Sequence, residues 1–200
     1  MPAPSIVAAA VLAAGASTRM GRNKLLLDLG GETMVRRVVR AAAGAGLDQV
    51  VVVLGHDEPL VRAELAGLPC TLVVNPDHGQ GAGTSLRTAV RHVASASAIV
   101  IVLADMPFVT SGMIAAVVAR YRETAAPVVA SHYGAVQAPP TLYDRALFAE
   151  LLAIPDDRGA KQVVRRHEHE AAVLSWPESS LRDVDVPADY DGVRADLRGD

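Results

Sequence analysis

The sequence predicts a three-layer α/β domain, a mostly parallel Rossmann-like sheet with helices on both faces. Apolar, β-branched runs at residues 6–12, 49–54, 70–74 and 98–103 are each bounded by turn residues, as strands buried on both faces should be. Between them lie segments with apolar residues at helical spacing, and this alternation favours parallel strands joined by crossover helices. The region after Pro127 changes to short extended pieces with prolines, which adds one or two antiparallel strands.

The whole chain bounds the answer. Of 200 residues, half are apolar, which is ample material for a core, and no composition shift, low-complexity tract or repeat marks a boundary, so a single domain over 1–200 is expected. A formal charge of -3 and 4% aromatic residues argue against nucleic acid as a partner. Cys70 is alone, which excludes an internal disulfide and a Cys cluster for zinc; beside an apolar strand it reads as a buried, inert thiol. No apolar run reaches membrane-spanning length and the N-terminus lacks a basic start, so the expectation is a cytoplasmic protein without a membrane partner.

The first strand ends in V-L-A-A-G-A-S-T-R-M-G-R-N-K-L-L-L, residues 11–27. Ala13, Ala14, Gly15, Ala16 and Ser17 are small enough for a ligand to approach the backbone, and successive N–H groups in such a loop form a concavity for phosphate. Arg19 adds a planar fork and Lys24 a compact charge, a combination suited to a polyphosphate. A Walker A loop is excluded, because Gly15 and Gly21 enclose five residues and Leu25 follows Lys24. The dinucleotide fingerprint is excluded as well, since no G-x-G-x-x-G follows this strand.

Thr33 is a candidate N-cap for a helix over Met34 to Ala43, with Arg36, Arg37 and Arg40 on a solvated face. Gln49 to Leu54 is the second strand. Gly55-His56-Asp57-Glu58 reads as the start of a helix over 59–66, the acids complementing its dipole, rather than as a metal site. The third strand, 70–74, leads into Asn75-Pro76-Asp77-His78-Gly79-Gln80-Gly81-Ala82-Gly83-Thr84-Ser85, whose alternating glycines predict a second small-residue loop. Thr84 and Ser85 are positioned to cap a helix over 86–93. In an open α/β sheet, loops at the carboxyl ends of strands face one ligand crevice.

Ala98 to Leu103, A-I-V-I-V-L, is the strongest strand signal and the expected sheet centre. Asp105 follows it at the ligand edge, where an unpaired carboxylate is costly and a cation removes the cost. Mg²⁺ suits such a place, taking one or two carboxylates with phosphates and water. Thr110 and Ser111 stand ready to cap the next helix, Ser111 to Thr124, which leaves Asp105 for the metal. A strand over 127–131, a helix over 145–153 and a helix after Gly159 complete the pattern. His167-Glu168-His169-Glu170 is not a zinc site, because imidazoles two residues apart on a helix diverge.

The residues L-x-A-G-x-S-x-R-M-G-x-x-K match the signature of the nucleotidyltransferases that activate the molybdenum cofactor, a group related to the sugar-phosphate nucleotidylyltransferases. The resemblance runs from Ile6 to about Tyr190, continuing through a stretch similar to N-P-x-x-x-G-x-x-x-S-L at residues 75–86, one residue longer here between Pro76 and Gly81, L-x-D-M-P at 103–107, and stretches similar to G-D-x-G-A-R at 156–161 and D-x-D-T-P-x-D at 183–189. It implies that Leu12, Ala13, Ala14, Gly15, Ser17, Arg19 and Lys24 hold the nucleotide with Gly81, Thr84 and Ser85, and that Arg19, Lys24 and Asp105 carry catalysis. Asp105 and Asp185 would hold Mg²⁺, with Asp183 an open rival to Asp185. Lys161 either anchors a phosphate on the acceptor or belongs to an exposed face with Arg165 and Arg166. The implied reaction is nucleotidyl transfer from a nucleoside triphosphate to a phosphorylated acceptor. Leu12-Ala13-Ala14-Gly15 resembles the cytidylyltransferase version of the loop, favouring CTP over GTP and molybdopterin as acceptor, with transient contact to a molybdoenzyme or its chaperone. Ala138-Pro139-Pro140 departs from the Gly-His-Pro of several relatives, where the acceptor is expected. A sugar-phosphate nucleotidylyltransferase and a non-catalytic cofactor-delivery module are the remaining alternatives.

Overall fold

The computed structural model describes residues 6–15 and 23–181. Eight strands form one sheet: β1 (Val7–Ala13), β2 (Gln49–Leu54), β3 (Thr71–Val74), β4 (Ala98–Leu103), β5 (Val128–Tyr133), β6 (Val136–Gln137), β7 (Thr141–Asp144) and β8 (Ala172–Trp176). Their order is β3-β2-β1-β4-β7-β5-β6, with β8 also on β5. Strands β1 to β4 are mutually parallel, while β7 runs antiparallel to both β4 and β5, and β6 antiparallel to β5. The mostly parallel sheet with β4 near its middle is therefore as the apolar runs predict. β8, parallel to β5, is an addition: A-V-L-S-W is short and half exposed, and lacks the continuous apolar run that marks the central strands.

Helices α1 (Met34–Ala43), α2 (Glu58–Glu64) and α4 (Ser111–Thr124) cover one face; α3 (Ala82–His92), α5 (Phe148–Leu152) and α6 (Lys161–Arg166) cover the other. Strand alternation produces the division. Val7, Ala9 and Val11 pack with Val35, Val38, Ile114 and Val117, whereas Ala8 and Ala10 pack with Leu86, Val90, Leu151 and Val163. Burial of each valine contributes about 1.5–3 kcal/mol, so the all-apolar β1 can sit only inside such a sandwich.

Several local expectations are corrected. Thr33 makes no side-chain cap on α1; its hydroxyl donates to Glu64 Oε2 at 3.0 Å instead. The arginines of α1 are not merely solvated. Arg36 donates to the Glu64 and Ala66 carbonyls, Arg37 Nε to the Pro107 carbonyl at 3.1 Å, and Arg40 to Glu32. Helix α2 begins one residue earlier and ends two earlier than 59–66, and Glu58 in its first turn pairs with Arg62. Residues 145–153 divide into a 3-10 turn, Arg145–Leu147, and α5. Cys70 is half-buried rather than buried, although desolvation still pushes its thiol pKa up. Tyr121 on α4 donates to Asp144 of β7, and burial together with that hydrogen bond pushes its phenol up to about 12.

Candidate active site

The carboxyl ends of β1, β2, β3 and β4 lie side by side, held by backbone bonds that continue past the strands. Ala104 N–H donates to Leu12 O at 3.1 Å, His56 N–H to Ala14 O at 3.3 Å and Asn75 N–H to Leu54 O at 2.8 Å. Ala13 and Ala14 are buried, Leu12 is half-buried and Gly15 is exposed. A Cβ built on Gly15 meets no atom of the described residues within 4 Å, so its backbone is open to a ligand. Ala14 packs against Gly55: a Cβ added at Gly55 would lie 2.8 Å from the Ala14 methyl.

Lys24 opens a single 3-10 turn, Lys24–Leu26, whose N-cap is Asn23. Asn23 Oδ1 accepts from Leu25 N–H at 3.1 Å, and buried Leu25 and Leu27 anchor the turn to the core. This turn presents Lys24 Nζ to Asp105 Oδ2 at 2.8 Å, with the lysine side chain 13% exposed and the carboxylate 31%. Asp105 lies two residues beyond β4 in a turn fixed by buried Met106 and Val109 and by Arg37 on the Pro107 carbonyl. Thr110 caps α4 by accepting from Met113 N–H at 3.2 Å, as expected, so Asp105 has no capping duty. Among the described residues the Lys24 ammonium offsets the charge of Asp105, although the sequence points Lys24 toward phosphate.

A divalent ion is compatible with this arrangement. Among the described residues no group of three metal-ligating side chains converges, but Mg²⁺ needs only one or two carboxylates when phosphates and water complete its shell. Asp105 supplies one partly exposed carboxylate. Ser17, Arg19, Asp183 and Asp185 lie outside the described residues.

The second loop is built around Asn75, which is 1% exposed. Its Nδ2 donates to Thr84 Oγ1 at 2.8 Å and Ser85 Oγ at 3.0 Å, and its Oδ1 accepts from Asp77 N–H at 3.0 Å. The helix expected over 86–93 begins four residues earlier, at Ala82, with Gly81 at its N-cap. Thr84 and Ser85 are therefore not caps: they lie in the first turn with hydroxyls turned inward to Asn75. Gly81 has φ +132°, and a Cβ there would sit 2.2 Å from the Asp156 carbonyl; at Gly83 it would sit 2.1 Å from that of Pro155. Gly83 N–H donates to Asp156 O at 2.9 Å, and Arg87 reaches the Asp156 carboxylate. These glycines join the loop to residues 155–158, a tertiary role their spacing did not reveal.

Lys161 is exposed at the first position of α6, and Arg166 pairs with Glu150, which also accepts from His167 Nε2 at 2.9 Å. In the region expected to meet the acceptor, Ser131 Oγ donates to the Pro140 carbonyl at 2.6 Å and Tyr133 OH to that of Pro139 at 2.8 Å. Burial raises the Tyr133 phenol pKa. The structure thus brings Lys24 and Asp105 into contact and places Gly15 beside them at the same sheet edge. Asn23 and Asn75 hold the two loops by their side-chain amides, a part not assigned to them from the sequence; the signal for Asn23 is an N-cap residue directly before a lysine and an apolar run.

The sequence matches the MobA-like NTP transferase domain over residues 9–171. It is 35% identical over 196 residues to purine catabolism protein PucB of Bacillus subtilis, covering 92% of this chain and 93% of that one. The fold superposes on Rv0371c of Mycobacterium tuberculosis with a TM-score of 0.85, 28% identity and coverage of 96% and 99% of the two chains. A manganese complex of that protein matches with a TM-score of 0.80 at 29% identity, covering 95% of this chain and 98% of that one. Molybdopterin-guanine dinucleotide biosynthesis protein A of Archaeoglobus fulgidus shares the fold, with a TM-score of 0.73, 18% identity and coverage of 96% and 100%. With a lysine–carboxylate pair at the carboxyl edge of a nucleotidyltransferase sheet and a match over most of its length, the chain belongs to the MobA-like NTP transferase family.

Proposed function

We propose that the protein transfers CMP from CTP to the phosphate of molybdopterin, with release of pyrophosphate. The observation that carries the reading is the Lys24–Asp105 pair, one cation and one carboxylate in contact where the sheet's carboxyl edge meets the first glycine loop. An oxygen of the acceptor phosphate attacks the α-phosphorus, the new P–O bond forms, and the bond to the β-phosphate oxygen breaks. A phosphate monoester is already ionised near neutral pH, so no strong base is needed and positioning with charge neutralisation carries the reaction.

Lys24 and Arg19 hold the β- and γ-phosphates. Backbone groups of Leu12 to Gly15, with Ser17, cradle the nucleotide, and the loop through Gly81, Thr84 and Ser85 covers base and ribose. Asp105, with Asp185, holds Mg²⁺, which when bound supplies positive charge across the reacting phosphates. That Rv0371c has been solved as a complex with manganese supports a divalent ion as cofactor. Lys24, paired with Asp105, also reaches the triphosphate. Lys161 anchors the acceptor phosphate, and similarity to a purine catabolism protein supports a product serving that process.

Ala14 supports CTP over GTP. Packed on Gly55, it fixes how closely β1 and β2 end beside the base, though a methyl-sized difference discriminates only about ten- to two-hundred-fold. The test is pyrophosphate release with Mg²⁺ and molybdopterin, comparing CTP, GTP, ATP and UTP. A CTP-selective, acceptor-dependent signal is expected. Selectivity for GTP would make the protein a guanylyltransferase, and nucleotide binding without turnover would make it a delivery module.

A further inference from the structure

The turn Gly55-His56-Asp57 does more than lead into α2. Asp57 Oδ2 accepts from Asn23 Nδ2 at 3.3 Å and also lies 3.4 Å from His56 Nε2. Its backbone has φ +53°, a conformation that a non-glycine residue rarely adopts. At this angle the chain turns from β2 into α2, with the Asp57 carbonyl accepting from Leu60 and Val61 N–H, while the carboxylate faces back toward Asn23. The adjacent residue, His56, holds the Ala14 carbonyl through its N–H. One turn thus fixes Ala14 at the end of β1 and Asn23 immediately before Lys24.

Asn23 is 6% exposed and both ends of its amide are engaged, Oδ1 by Leu25 N–H and Nδ2 by Asp57. We infer that Asn23 and Asp57 form a latch that positions Lys24 for the nucleotide's phosphates. The inference rests on the nucleotidyl-transfer reading, with Asn23 and Asp57 acting through Lys24 as positioning residues. A flexible four-carbon side chain binds an anion well only if its base is held; with the turn capped by Asn23 and Asn23 held by Asp57, Lys24 starts from a fixed Cα. Displacement of a binding group by about 1 Å can lower a rate about a hundredfold.

The test is a reciprocal exchange. Asn23→Asp sets two carboxylates against each other. Adding Asp57→Asn restores a carboxylate–amide pair with donor and acceptor reversed, and Asp at 23 still accepts from Leu25 N–H. Mg²⁺–CTP and Mg²⁺–GTP are titrated calorimetrically into the full chain, with Lys24→Ala as control and thermal unfolding recorded for every variant. For whichever nucleotide binds, Asn23→Asp should weaken affinity about tenfold, and the double exchange should return to within about threefold of the original. In a second arm, Asp57→Ala removes the acceptor without adding charge. Lys24→Ala should weaken binding about tenfold in the original chain and less than about threefold in the Asp57→Ala background, because a mispositioned lysine contributes less.

Unchanged affinity in Asn23→Asp or Asp57→Ala would overturn the latch. So would a folded double exchange as weak as Asn23→Asp alone, or equal effects of Lys24→Ala in both backgrounds. If Asn23→Asp does not fold, the Asp57→Ala arm decides. Failure of the folded, unchanged chain to bind either nucleotide would instead overturn the proposed CTP- or GTP-dependent transfer, and the latch with it.

Discussion

Lys24 Nζ and Asp105 Oδ2 stand 2.8 Å apart, joining the turn after β1 to the turn after β4. The register of those parallel strands, Leu12 opposite Leu103, makes the contact available. The sequence points each residue toward a ligand; in the structure they also meet each other.

Asp105→Asn should lower Mg²⁺-dependent turnover by about a hundredfold or more, since it removes a carboxylate that would hold the metal ion. The pair is partly exposed, so the change in unfolding free energy should stay below about 1 kcal/mol. Pyrophosphate release and urea unfolding measure the two separately; a near-original rate in a folded variant would end the assignment of Asp105.

Gly15 and Gly83 should respond oppositely to the same methyl group. Gly83→Ala drives a Cβ to 2.1 Å from the Pro155 carbonyl, and overpacking of this kind costs about 1–3 kcal/mol, a fall in melting temperature of about 2–12 °C. Gly15→Ala meets nothing among the described residues and should melt within about 2 °C of the original while binding nucleotide more weakly. Equal destabilisation by both substitutions would refute the distinction between a packing glycine and a ligand-facing one.

Asn75→Ala leaves Ser85 Oγ and Asp77 N–H without their buried partner, and Thr84 keeps only its bonds to the Gly81 and Asp77 carbonyls. The expected loss is about 1–3 kcal/mol in urea unfolding. A loss below about 0.5 kcal/mol would mean that water replaces the amide and that the network does not hold the loop.

Glu150 provides a pH dependence with a definite sign. The hydrogen bond from His167 holds its carboxyl below the ordinary 4.5; burial opposes this and Arg166 reinforces it. A lowered folded-state pKa adds stability above the unfolded value and loses it as pH falls through the folded one. The advantage of the original chain over Glu150→Gln should therefore be present near neutral pH and shrink between about pH 5 and 3. Because the group is partly exposed, the difference should be no more than about 1 kcal/mol. An advantage that grew on acidification would show that the pairing is not what stabilises the α5–α6 contact.

What the sequence determined by itself was whatever depends on local periodicity and local chemistry. Gln49–Leu54, Ala98–Leu103, Met34–Ala43 and Ser111–Thr124 were legible to the residue, because a run buried on both faces or a regular 3.6-residue pattern leaves little choice of element. Lys24 and Asp105 were legible as a cation and an acid following strands. Tertiary structure alone decided their partners. Helix α3 starts at Ala82, despite the glycine at position 83, because the missing side chain there lets the Pro155 carbonyl approach. Thr84 and Ser85 turn inward because Asn75 is buried between them and Asp77. Asp57 faces Asn23, and Lys24 faces Asp105, because the parallel register sets the ends of β1, β2 and β4 abreast. Propensity and periodicity are set by near neighbours along the chain, whereas these contacts join residues far apart in it and exist only once the sheet has formed.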